Sequence, residues 1–388
     1  MSKYDKWVAA YGNAMSITDH RVETYSKDIT LRYPIYMPFS GDKIRLTFDN
    51  CCGTEPVTIT SCVIAKAVKS EGTSAASDIS TNTCVTFDGN ENVTIGAGQK
   101  IVSDEIDFDV IADEFMNVSF YLSDYTLMRS SVVAMGPLSK GFYSVGDATR
   151  SECLDLDMTR KTDVFYFLSD IDVRTESNNR AVICYGDSIT AQDWPDYLML
   201  GLKEMGIRNI SIIRKAASGT RILRQYDNIT YESYGLKATN RVPREWQVAG
   251  ADTIIIQQGI NDIIHPVGIE VNPFRPMSDL PTANELIDGI RWYVSEARKA
   301  GFKVYLGTLL PILGWRTYED FREALKNEFN EWMRNTDISD GCIDFDEALR
   351  DEYDGRSFAA INDSGDHLHP SKNGYKKMAE TVLLKIFS

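Results

Sequence analysis

The chain has 388 residues, 43% of them hydrophobic and 25% charged, enough for two domains with cores that need no disulfide or metal staple. Its formal net charge of -15 argues against nucleic acid and anionic membranes as partners, because both require basic patches. No apolar run approaches bilayer length and the stretch from Met1 to Ala10 lacks the apolar centre of a signal peptide, so a cytoplasmic protein is expected.

The first part of the chain, residues 1–175, is expected to be mainly β. Ile44, Leu46 and Phe48 alternate onto one face, as strand residues do. Further strands are predicted over 57–64, 92–96, 101–110 and 117–122, with turn signals at Asp88-Gly89 and from Gly96 to Gly98. Many short strands with few helical patterns predict an antiparallel sandwich of jelly-roll type. The seven cysteines, Cys51, Cys52, Cys62, Cys84, Cys153, Cys184 and Cys342, are odd in number and show no zinc spacing, so they are expected to be reduced.

A polar break from Thr175 to Arg180 marks the boundary, and a second domain is expected over 180–388. From Ala181 the pattern alternates strand and helix. Apolar, β-branched runs at 181–185, 209–214, 252–257, 302–309 and 342–345 predict strands. Amphipathic stretches at 282–300 and 317–334 predict helices between them. A last helix is expected from Ser371, a suitable N-cap, with Tyr375, Met378, Ala379, Val382, Leu383 and Ile386 on its inner stripe. Strands alternating with helices predict a parallel sheet with helices on both faces.

Four polar stretches punctuate this second half. Gly186-Asp187-Ser188 ends the first strand, Ala217 to Arg221 follows the second, Gly259 to Asp262 follows the third, and Asp366 to Pro370 precedes the final helix. Open α/β sheets bind ligands at the carboxyl ends of their strands. Acyl transfer needs a nucleophile, a base, a group that orients the base, and donors for the oxyanion. Ser188 can serve as nucleophile, His369 as base, and Asp366 as the group that orients it. The backbone N–H groups of Ser188 and Gly219 and the side-chain amide of Asn261 can serve as oxyanion donors. With such a base, activity is expected to fall as pH drops through the histidine range, near about 6–7.

These stretches resemble the GDSL, or SGNH, hydrolase family. The resemblance covers roughly residues 181–388, with Ile189 where the family motif has leucine. It implies a flavodoxin-like α/β domain, catalytic Ser188, Asp366 and His369, an oxyanion hole from Ser188, Gly219 and Asn261, and loop-holding roles for Asp187 and Asp262. The segments from Lys6 to Gly12 and from Tyr166 to Val173 resemble bacterial two-domain members with a β-sandwich ahead of the hydrolase. That resemblance implies removal of a small acyl group, acetyl first, from a sugar or oligosaccharide. Short-chain lipase or thioesterase activity is the alternative, as is a carbohydrate-binding protein on an inactive hydrolase fold.

No cofactor and no metal are expected: Asp366, His367 and His369 lie too close in sequence, without further His or Cys nearby, to make a good zinc site. A small-molecule or oligosaccharide ester is the expected partner, and a homo-oligomer stays open. His265 is expected at the edge of the site or behind it, and His20 has no expected role. Arg221 is read either as a contact for a polar substrate or as a solvated surface arginine. Trp194 and Trp315 are read either as packing residues or as platforms for a sugar ring. The loop from Ile263 to Pro281, with Pro266, Pro273, Pro276 and Pro281 and no clear period, is expected to wall or cover the acyl pocket.

Overall fold

A computed structural model describes residues 3–17, 24–68, 75–155, 160–225 and 235–388. His20 lies outside the described residues. The chain divides into two compact units. One comprises Met1–Ala181, Ile207–Ile213 and Val248–Gly250, and the other Val182–Gly206, Arg214–Gln247 and Ala251–Ser388. Among the described residues no helix is long and apolar enough to cross a membrane.

The first unit is built on two antiparallel sheets. One runs Lys6–Gly12, Leu168–Thr175, Gly41–Asp49 and Ile106–Val110, with Lys100–Val102 pairing Gly41–Asp49. The other centres on Ile29–Tyr36 and Phe115–Leu122, flanked by Gly141–Val145 and Ser61–Lys66. Phe48 from the first sheet meets Phe120 from the second edge-on, ring centroids 5.3 Å apart, so the inner faces form a sandwich core. Arg32, beside Ser119 on the opposite face of the second sheet, is fully buried. Its fork donates to Ser119 Oγ and to the carbonyls of Ala75, Glu152, Ala148 and Ser151, which compensates the cost of desolvating the charge. The long strand Ile29–Tyr36 escapes the sequence pattern because Pro34 interrupts it. The structure tolerates Pro34 because Gly141–Val145 pairs only residues 29–32, leaving Pro34 with Phe115–Leu122 as its one neighbour.

The second unit carries a five-stranded parallel sheet. Its spatial order is Ile210–Ala216, Arg180–Gly186, Ala251–Gln257, Lys303–Gly307 and Gly341–Ile343, which is 2-1-3-4-5 in chain order. The order reverses on either side of the Arg180 strand, and α/β sheets of this order open a crevice at that point. Eight α-helices accompany the sheet, the first six between strands and the last two after the final one: α1 (Ser188–Ala191), α2 (Trp194–Glu204), α3 (Ala238–Glu245), α4 (Ile260–Ile264), α5 (Ala283–Lys299), α6 (Asp320–Asn335), α7 (Phe345–Leu349) and α8 (Lys372–Val382), counted among the described residues. Thr282 and Glu285 close a capping box at the start of α5.

Two helix boundaries differ from the sequence pattern. α6 begins at Asp320, not Thr317, because Glu319 is extended (φ -150°) and the Thr317 hydroxyl is spent on the Ile264 carbonyl. The inner stripe of α8 is buried through Val382. The chain then widens into a π turn over Leu383–Phe387, where Leu383 and Ile386 are only half-buried.

Candidate active site

Each of the first three polar stretches leaves the carboxyl end of a sheet strand. Arg180–Gly186 delivers Asp187 and Ser188, Ile210–Ala216 delivers Gly219, and Ala251–Gln257 delivers Asn261 and Asp262. The need for glycine at 186 is steric. An added Cβ would lie 2.6 Å from the Gln257 carbonyl oxygen and 2.4 Å from Thr190 Oγ1, so only a residue without one lets the two strand ends meet. Gly219 needs its freedom for another reason, since its φ is +72°.

Asp187 caps α1 by accepting the Ile189 N–H at 3.1 Å. Its carboxyl is buried, and burial pushes its pKa up to about 7. Asp262 accepts the N–H groups of Ile222 and Leu223 at 2.9 and 3.0 Å, clamping the second loop to the third. Burial raises its pKa to about 6 against those same hydrogen bonds.

Asp366 to His369 form a tight turn ahead of α8, whose N-cap Ser371 accepts the Gly374 N–H. Asp366 Oδ1 accepts the backbone N–H groups of Leu368 and His369, at 2.9 and 2.8 Å. Asp366 Oδ2 lies 2.6 Å from His369 Nδ1, and His369 Nε2 lies 2.9 Å from Ser188 Oγ. Partial burial alone would raise the Asp366 pKa, but the bonds from the His369 imidazole and the two backbone N–H groups outweigh it. They hold the carboxyl well below the usual range. A charged Asp366 fixes the imidazole with its proton on Nδ1, leaving the Nε2 lone pair to face the Ser188 hydroxyl.

His367 stands apart from this chain. Its Nδ1 pairs with Asp363 Oδ2 at 2.6 Å and its φ is +63°. His367 and His369 thus each have their own carboxylate, and among the described residues no group of three or more His, Cys, Asp or Glu is arranged to hold a metal ion. His265 is buried at the end of α4, where the Arg221 guanidinium donates to its Nδ1 at 2.6 Å. Burial and then the charge of Arg221 push its pKa well below the ordinary value.

Burial decides between the alternatives at two residues. Arg221 is 2% exposed, so it is not a solvated surface arginine. Trp194 is 0% exposed and packs on Phe345 with centroids 5.8 Å apart, so it offers no face to a sugar. Trp315 is half-buried, with the Arg316 guanidinium 4.7 Å above its ring. The loop beyond α4 closes on itself where Val267 and Gly268 donate to the Arg275 carbonyl, and the Arg322 guanidinium donates to the carbonyls of Ile263 and Pro266 at its base.

Sequence reasoning missed the residues beneath these loops. Thr220 Oγ1 donates to the Ala217 carbonyl at 2.8 Å, and Thr220 O accepts from Gln258 Nε2 at 2.7 Å and from Asn261 Nδ2 at 3.1 Å. The pair Gln257-Gln258, polar where a buried strand ends, is the one sequence signal that points there.

The profile of the GDSL-like Lipase/Acylhydrolase family matches residues 184–377. No curated protein matches the chain. Three of the similar solved structures each cover about half of this chain. A GDSL-like lipase from Bacteroides thetaiotaomicron is 16% identical, covering 53% of this chain and 87% of that one, with a TM-score of 0.39. A putative acylhydrolase from Bacteroides fragilis is 17% identical, covering 54% and 88%, TM-score 0.39. A variant of an acetyl xylan esterase from Geobacillus stearothermophilus is 17% identical, covering 54% and 94%, TM-score 0.42.

Proposed function

The chain belongs to the GDSL-like lipase/acylhydrolase family, and from that premise we propose that it is a serine esterase that removes small acyl groups, acetyl foremost. The single observation that carries the reading is the run of hydrogen bonds from Ser188 through His369 to Asp366. Ser188 Oγ attacks the acyl carbon while its proton passes to His369 Nε2. Asp366 stabilises the imidazolium that forms. The substrate oxygen, now negative, meets the N–H groups of Ser188 and Gly219 and the amide of Asn261. Collapse expels the alcohol, which takes the proton from Nε2. Water, deprotonated in turn by His369, then attacks the acyl-serine and releases the carboxylic acid.

A sugar or short oligosaccharide is the proposed alcohol, and the loop from Ile263 to Pro281 is proposed to wall the acyl pocket. The acceptor rests on the resemblance of residues 6–12 and 166–173 to two-domain carbohydrate esterases. Mass spectrometry over acetylated xylo-, manno- and gluco-oligosaccharides tests it: loss of acetyl from one series supports the proposal, and no loss from any overturns it. A short-chain lipase is the second reading, favoured by the exposed Ile269, Val271 and Phe274 on the segment beyond Asn261. Faster turnover of octanoate than acetate esters would select it.

A further inference from the structure

We infer that Arg241, on α3, is a positioning residue that ties together the three loops carrying the oxyanion donors. The inference rests on the esterase reading above. Arg241 is 1% exposed, and nothing in its hydrophilic helix marks it in the sequence. Its Nη1 donates to the Gly186 carbonyl at 3.1 Å, to Thr220 Oγ1 at 2.9 Å and to Gln258 Oε1 at 3.2 Å. Its Nη2 donates to the Lys215 carbonyl at 3.1 Å, and its Nε faces the Glu245 carboxylate at 3.0 and 3.1 Å. The Tyr185 ring covers its other side, 4.4 Å from the guanidinium carbon.

The acceptors of Nη1 all lie beside the oxyanion donors in the chain. Gly186 lies two residues before Ser188, Thr220 directly follows Gly219, and Gln258 precedes Asn261 by three. One planar fork therefore holds the root of every loop that supplies an oxyanion donor. A lysine offers a point charge and cannot reproduce that spread. Burying a guanidinium for stability alone has little to recommend it, since a well-packed apolar side chain serves as well.

The fork also reaches Asn261 through an ordered relay. Arg241 has only hydrogens to give, so the Gln258 carbonyl oxygen must face it and the Gln258 NH2 must face away. That NH2 donates to the Thr220 carbonyl, which also accepts one hydrogen of the Asn261 amide. The amide plane of Asn261 is thereby set, and its second hydrogen is aimed by the first. Such a relay matters to the transition state more than to substrate binding, because an oxyanion donor must be in place before charge develops.

A double-mutant cycle on the full chain tests this, with p-nitrophenyl acetate as substrate and thermal unfolding as a check on folding. Gln258→Leu and Arg241→Lys are each expected to lower kcat by about tenfold or more, with KM within about twofold and the acid limb of the pH profile in place. In an Asn261→Ala background Gln258→Leu should cost less than about twofold further, because the donor it positions is gone, whereas Arg241→Lys should still lower kcat through the Ser188 and Gly219 loops, but by less than in the parent. Equal losses in both backgrounds, a loss in KM with kcat unchanged, or a displaced acid limb would overturn the inference. Gln258→Leu leaves the Arg241–Glu245 pair intact and decides the matter if Arg241→Lys does not fold. Failure of the esterase reading would show separately, as a Ser188→Ala chain turning over as fast as the parent.

Discussion

His369 Nε2 sits 2.9 Å from Ser188 Oγ, although 181 positions separate the two residues in the chain. The contact joins the end of the Arg180–Gly186 strand to the turn ahead of α8. Such a contact aligns a hydroxyl with the lone pair able to take its proton.

The pH dependence of turnover follows from that alignment. Protonated His369 has no lone pair for the serine proton, so kcat/KM should fall on the acid side. Asp366 stays charged across the working range because its carboxyl is held low, so it adds no ionisation of its own to that limb. His369→Ala should cost at least about 10³-fold in kcat and abolish the limb. Asp366→Asn should cost a similar factor or less, by freeing the imidazole to adopt the other tautomer. A flat profile in the parent would contradict both.

Asn261 is predicted to act on kcat. Its amide is held by the Thr220 carbonyl and, in the proposed mechanism, meets the oxyanion. Asn261→Ala should lower kcat by about 10²–10³-fold with little change in KM. A change confined to KM would make Asn261 a substrate-binding residue instead.

Asp187 ties stability to pH. Burial raises its folded pKa from 3.8 to about 7. Between those values the folded chain holds a proton that the unfolded chain has lost, so stability falls as pH rises through the window. Asp187→Asn keeps an acceptor for the Ile189 N–H and removes the titration. Urea unfolding at about pH 5 and about pH 8 should show the variant gaining on the parent at the higher value. An equal difference at both would contradict a raised pKa.

Gly186 should tolerate no side chain. In Gly186→Ala the new methyl must displace either the Gln257 carbonyl or Thr190, at an expected cost of about 1–3 kcal/mol. Because the Gln257 backbone leads into Asn261 and Thr190 lies on the helix that Ser188 opens, kcat should fall by more than the folded fraction does. Thermal unfolding beside kcat measures both, and unchanged kcat in the folded variant would contradict the account.

The parallel sheet was legible because its strands are short apolar runs, the first three each ending at a polar stretch, and chain order then sets which loops share an edge. The first unit was less so: Pro34 hides one of its central strands, and the strand from Lys6 to Gly12 carries no clean alternation. Within the site, residues that sit on motif loops could be picked out by type and place. Arg241 could not, because what distinguishes it is contact through space with backbone carbonyls, Thr220 and Gln258, which leaves no spacing to read. Arg221 and Trp194 left two readings open for the converse reason, being polar or aromatic residues near a motif whose side chains turn inward.

Ser188 itself offers the most direct test. Rapid acid quench of the chain with p-nitrophenyl acetate, followed by peptide mass spectrometry, should find one acetyl group on the peptide carrying Ser188, and none in Ser188→Ala, which should retain the parent fold and lose nearly all turnover. Acetyl on another residue, or full turnover in Ser188→Ala, would contradict the account.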